Sequence, residues 1–279
     1  MVSFRLPIKN YTRMNPFFLN TRSVLSVIAS VLTVVSADAQ KLPVKQEGSM
    51  RAAANVKIDG KANEWTFKAY SNAIDVFYAV AHDDENIYLA VKATDEYIVR
   101  KILSGGITFV VNSVAKKSDD EAATLRYPLF SYKNKPDVKF SLRNTPADSI
   151  DYVVSANNKS ITNKGKFLRV RGITGVDTLL SVYNSDGISV ASAFDKEMAY
   201  TYELALARKH IKNALDANGR FSYKIILNSI TFDDTPGVAV TRDATGVITA
   251  IHINKSNLPP NPNPSMSATT DVSGEYSLK

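Results

Sequence analysis

Near position 126 the chain gathers the group types that a sugar-binding surface uses. Arg126 and Tyr127 are followed by Phe130, Tyr132, Lys133 and Asn134. Pyranose rings have apolar faces and polar rims, so flat aromatic side chains and planar hydrogen-bonding groups recognise them together. Arg126, Tyr127 and Tyr132 are therefore candidates for ligand contact. The competing reading assigns the aromatic rings to strand faces and the charges to solvent. The oxygen-rich runs Asp83-Asp84-Glu85 and Asp233-Asp234 carry hard ligands of the kind a structural calcium takes. Neither has the ligand spacing of a defined calcium loop, and hairpin turns account for both. Met198, His82, His210 and His252 are the side-chain types that can ligate haem, but no spacing singles out a pair. His252 alternates with Ile251 and Ile253 and is expected on the exposed face of its strand.

Other chemistries lack their residues. The 279-residue chain has no cysteine, three histidines and one tryptophan. Without Cys there is no disulfide framework, thiolate metal site, cysteine nucleophile or acylated lipoprotein anchor. No Gly-rich phosphate loop, nucleophile elbow or His-containing metal motif occurs, and spacing identifies no catalytic carboxylate pair. A non-enzymatic protein without a cofactor is expected. The formal charge is +7, and its densest basic spots, Lys116-Lys117 and Arg169 with Arg171, do not make the clustered face of a nucleic-acid binder.

Residues 1–39 have the zones of a secretory signal. Arg13 and Arg22 precede the apolar run from Val24 to Val35, and Ala37-Asp38-Ala39 supplies a small-residue cleavage site. The run is shorter than the roughly 20 residues that span a bilayer. Met14 is an alternative start. Cleavage after Ala39 would remove Arg5, Lys9, Arg13 and Arg22 against only Asp38, leaving a weakly basic chain. A secreted or periplasmic protein, not a lipoprotein and without a transmembrane anchor, is expected.

The elements that must position these residues are strands. Residues 40–55 read as a leader. Beyond them, period-2 alternation recurs in Ile87 to Thr94, Val138 to Arg143, Tyr200 to Ala207, Phe221 to Leu227 and Val247 to Ile253. In the third of these, Glu203 falls opposite Tyr202 and Leu204 and reads as solvated. Turn-forming runs, among them Asn157-Asn158, Asn184 to Gly187 and Asp216 to Gly219, separate the strands. Helices are expected over Glu96 to Leu103 and Arg208 to Ala217. The prediction is an all-β antiparallel sandwich over residues 56–254, with jelly-roll or immunoglobulin-like layers and one or two short helices. A Pro-rich tail, residues 255–279, would end loosely.

Ile58-Asp59-Gly60-Lys61-Ala62-Asn63-Glu64-Trp65 resembles the opening of family 9 carbohydrate-binding modules and of the wider DOMON-like β-sandwiches. Three further pieces follow in that family's order. They are Asp84 to Val91 closing with Thr94-Asp95, then Gly106 to Asn112, then Tyr202 to Leu206 continuing through Ile211 to Gly219–Asn228. The resemblance covers about residues 56–254. It implies that Asp59, Gly60 and Trp65 are structural, with Trp65 packed rather than stacking on sugar. Thr108 and Asn112 stand where the family has acidic site residues, and Arg126 matches a sugar-contacting arginine. The family's two sugar-clamping Trp have no counterpart, since none follows Trp65. The function implied is non-catalytic binding of a glycan outside the cytoplasm. The alternatives are a cell-envelope protein-interaction domain that has lost the sugar site, or a module otherwise attached to a glycosidase and here standing alone.

Overall fold

Alternating segments become strands because each has one side to bury. A computed structural model describes residues 41–116, 118–229, 237–244, 248–254, 256 and 268–279, without the Tyr132 side chain. The expected signal peptide, Asp233-Asp234 and the Pro-rich run Asn257 to Pro264 lie outside these residues. In chain order the strands are β1 (Ala69–Ser71), β2 (Val76–His82), β3 (Asn86–Ala93), β4 (Ile107–Asn112), β5 (Ala123–Tyr127), β6 (Phe167–Arg171), β7 (Leu179–Ser181), β8 (Ile188–Phe194), β9 (Tyr200–Ala207), β10 (Arg220–Leu227), β11 (Val238–Arg242), β12 (Ile248–Ile253) and β13 (Thr270–Ser277). One sheet has the order β1-β2-β3-β9-β8, a second β13-β10-β4-β5-β6-β7, and β11-β12 form a separate hairpin. Every pairing is antiparallel. The fold is an all-β sandwich.

Between the two large sheets, Tyr78, Leu89, Tyr202 and Leu204 share one core with Phe109, Leu125, Phe221 and Ile225. Short helices close the ends. Helix α1 (Glu96–Gly105) begins where the Asp95 carboxylate accepts from Tyr97 N and Ile98 N, and stops at Gly106. It puts Val99, Ile102 and Leu103 into the core. At the other end a 3-10 helix, Arg208–Ala214, buries Ile211. It is shorter than the expected helix.

The two chain segments read as loose are built into the sandwich. In the leader, the Gln46 side chain mimics a strand partner, with its amide donating to Val80 O at 2.8 Å and accepting from Val80 N at 2.7 Å. At the C-terminal end, β13 pairs with β10 from Arg220–Ser277 to Leu227–Thr270. Val272 and Tyr276 are buried. The sandwich thus extends past residue 254, because β13, after the hairpin, returns to the sheet.

Tyr276 joins both ends to β2. Its hydroxyl donates to Met50 O at 2.8 Å and accepts from Met50 N at 2.9 Å. The single hydroxyl proton is thereby committed, so His82 Nδ1, 2.9 Å away, must be the donor to the Tyr276 oxygen. His82 is buried, and burial holds its pKa below the ordinary 6.5, with Arg208 and Arg51 adding to the effect against Asp83 and Asp84. The unfolded chain therefore takes up a proton that the folded one refuses, and stability falls as pH drops below about 6.5. Melting temperatures across about pH 7.5 to 5, a window set by the unperturbed imidazole value, should decline in wild type and stay flatter in His82→Gln. Parallel profiles would show that another group carries the titration.

Three expectations about local structure are corrected. Val138 to Arg143 is irregular, not a strand, and Asn157-Asn158 is no turn but lies within helix α2 (Ile150–Lys164). The two facts have one cause. Asn157 Oδ1 accepts from Lys139 N, and its Nδ2 donates to Lys139 O, both at 2.9 Å. Asn158 does the same for Phe194 N and O on β8. The two amides supply the hydrogen bonds that neighbouring strands would, which outweighs their modest helix propensity. Finally, β11 and β12 bury no face, and Ile251 and Ile253 are exposed along with His252.

Candidate functional site

The two sheets differ in what covers their outer faces. Outside the five-stranded sheet, Ala81, Tyr88, Ala90 and Ala205 are buried under Trp65, with Met50, Ala52, Val56, Ile58 and Phe67 packed around them. Beneath this cover lies Glu203, fully buried rather than solvated. Alternation placed it correctly opposite Tyr202 and Leu204, but that face is covered by protein. Glu203 accepts hydrogen bonds from Trp65 Nε1, Gly60 N and Asp59 N. Burial lifts its carboxyl above the ordinary value, opposed by these three donors. Gly60 has φ +84°, and a Cβ there would sit 2.6 Å from the Ser192 carbonyl carbon. Asp59, Gly60 and Trp65 thus form a structural clasp, and Trp65 offers no sugar platform.

The six-stranded sheet keeps its outer face open toward β6 and β7, although Val110 and Asn112 on β4 are buried. Cross-strand register sets Thr108 opposite Arg126, and Arg126 opposite Arg169. One step along, Thr124 is opposite Arg171. Along β6 the alternation exposes Phe167, Arg169 and Arg171 while Leu168 and Val170 face the core. Leu179, opposite Arg169 on the edge strand β7, is 55% exposed, and Phe167 is 48% exposed.

Arg126 is held from one side only. Its Nε donates to Gly105 O at 2.7 Å, capping a carbonyl at the end of α1. Its Nη atoms have no partner among the described residues. Burial lowers its pKa, and Arg169 and Arg171 lower it further. The side chains of Arg169 and Arg171 make no hydrogen bond or ion pair among the described residues.

Of the residues expected from sequence, Thr108 and Arg126 are brought together. Thr108 also meets Asn228, whose Nδ2 donates to its hydroxyl at 2.9 Å. Asn112 is buried and occupied with its own loop, donating to Ser118 O at 2.7 Å and accepting from Ser113 N at 2.8 Å. Tyr127 faces the core, buried beside Tyr202, so its ring is not available to a ligand on this face. The side chain of Tyr132 lies outside the described residues. Arg169 and Arg171 were not connected to the site from sequence. The alternation Phe167-Leu168-Arg169-Val170-Arg171 was the signal that could have connected them.

The remaining candidates have other roles. Asp83 accepts from Glu85 N, Asn86 N and the Tyr88 hydroxyl, and Asp84 pairs with Arg51, so this run is a hairpin turn. Among the described residues no three His, Asp or Glu side chains gather around a common point. His210 Nε2 bonds Asp186 O, and Met198 packs on Asn157. His210 also borders a recess of about 580 Å³ beside the 3-10 helix, with Lys116, Glu121, Thr174, Lys209 and Asn213. Its opposite charges, Lys116 and Glu121, pair with each other.

No family model matches this chain, and no curated protein matches it. The site must be read from its own geometry. Among the described residues no helix is long and apolar enough to cross a membrane. This face presents hydrogen-bond donors and two exposed apolar side chains, with no paired acid and base beside them among the described residues.

Proposed function

We propose that this protein is a non-catalytic, exported glycan-binding module that engages its ligand on the outer face of the six-stranded sheet. The observation that carries this reading is the contrast between the sheets. One outer face is covered by the segment running to Phe67, while the other carries half-buried Arg126 beside Thr108, with guanidinium nitrogens that find no partner among the described residues. The resemblance to family 9 carbohydrate-binding modules points to the same arginine. Phe167 and Leu179 supply apolar surface for a pyranose face where the family's Trp residues are missing.

The test is thermal melting, followed by Trp65 emission, against a panel of neutral and acidic mono- and polysaccharides. A ligand at 100 times its Kd that binds only the native state stabilises by about 2.7 kcal/mol. One sugar class should raise the melting temperature, Arg126→Ala should abolish the shift, and no polysaccharide should release reducing ends. A shift that persists in Arg126→Ala would move the site elsewhere. A protein that ignores every neutral and acidic glycan would fit the envelope-interaction alternative, for which the exposed β11–β12 hairpin is the natural contact.

A further inference from the structure

We infer that the glycan held on this face is anionic, its carboxylates gripped by Arg126, Arg169 and Arg171. This rests on the preceding proposal that the face binds glycan, and it names the chemical class. The three arginines sit on neighbouring strands, with Arg126 directly opposite Arg169 and Arg171 two residues along from it. Side chains directly opposite have Cβ atoms about 4.5–5.5 Å apart, and like charges there destabilise a sheet. Residues two apart on one strand are separated by about 7 Å. Three cations are thus held within one sugar's reach at a cost to the fold.

Among the described residues nothing offsets that cost. Elsewhere, several basic side chains have acidic partners, with Lys92 on Asp195, Arg100 on Glu96, Arg220 on Asp216 and Lys224 on Asp119. The arginine group has none. Asp177, across the hairpin end from Arg171, makes no ion pair with it. Asp271 on β13 is three strands from Arg126, about 14 Å at the usual strand spacing. A bound anion removes the repulsion and satisfies the free Nη donors together. Carboxylate suits arginine in particular, because the planar fork bonds both oxygens at once. Phe167 and Leu179 flank Arg169 on the same face and would meet the sugar ring next to its acid group.

The experiment compares polygalacturonate with its fully methyl-esterified form, which keeps the ring and removes the charge. Dextran sulfate and duplex DNA serve as polyanions without carboxylate, and dextran as a neutral polymer. Binding to polygalacturonate should be at least tenfold tighter than to its ester and should weaken with salt. It should fall at least tenfold in Arg169→Gln/Arg171→Gln, whose parent side chains make no contact that folding needs. Lys224→Gln should change it little. Equal binding of acid and ester, or binding of dextran alone, would overturn the anionic assignment and leave the glycan reading standing. Tight binding of dextran sulfate or DNA with the same arginine dependence would overturn the carboxylate assignment in favour of a general polyanion surface. Failure of every polymer would remove both readings.

Discussion

Ending the chain before Thr270 is expected to abolish folding. Strand β13 pairs with the whole of β10, and losing it removes several ladder hydrogen bonds at about 0.5–1.5 kcal/mol each. It also removes the burial of Val272 and Tyr276, at about 1.5–3 kcal/mol for each such side chain. Phe221, Tyr223 and Ile225 on β10 would lose the strand beside them, and β10 would become an exposed edge that invites aggregation. Together these losses are comparable to the whole stability of an ordinary domain, about 5–15 kcal/mol. The truncated protein should be insoluble or lack a cooperative melt. A soluble truncation with a sharp transition would show that the sheet closes without β13. A milder variant separates the hydroxyl from the strand. Tyr276→Phe leaves the buried His82 Nδ1 and Met50 N donors without their acceptor, and should cost about 1–3 kcal/mol while keeping the fold.

That strand shows where the sequence was opaque. Thr270 to Ser277 buries only Val272 and Tyr276, with Gly274 between them, so its alternation is faint. The glycine is there because the Tyr223 ring packs against it, and a Cβ would lie 2.6 Å from the tyrosine oxygen. That reason appears only when β10 is placed alongside. The strands through the core were legible because their apolar period is strong, and α1 was legible from Ile98, Ile102 and Leu103 at helical spacing and Gly105-Gly106 at its end. Alternation also sorted the faces correctly at Glu203, whereas the same period in Phe167 to Arg171 went unread. What it could not supply was the cover, since a face is solvated or buried according to which distant segment crosses it. The candidate site suffered most. Arg126 and Thr108 were named, but the arginines that complete the face sit some 45 residues further on, and only strand pairing makes them neighbours.

Replacing Glu203 is expected to be the most damaging single substitution outside the hydrophobic core. Its carboxylate collects the Trp65 indole N–H and the amides of Gly60 and Asp59, and so ties the covering segment to β9. Glu203→Leu fills the space but leaves these donors without an acceptor, at about 1–3 kcal/mol for each one that stays buried. The combined cost should reach several kcal/mol. Glu203→Gln keeps one carbonyl oxygen for the backbone amides and turns an NH₂ toward the indole, so it should cost less than leucine. Gly60→Ala should match the leucine variant, because its Cβ has no room against Ser192. Because Trp65 is the sole tryptophan, its emission reports the clasp directly and should move toward that of exposed indole in Glu203→Leu before the core melts. Coincident transitions at the wild-type temperature would mean that the apolar contacts of Trp65 hold the cover in place without the carboxylate. The proposed ligand face lies on the other sheet, so on that proposal a folded Glu203→Gln should bind glycan as wild type does. A loss of binding in that variant would tie the clasp to the arginine face.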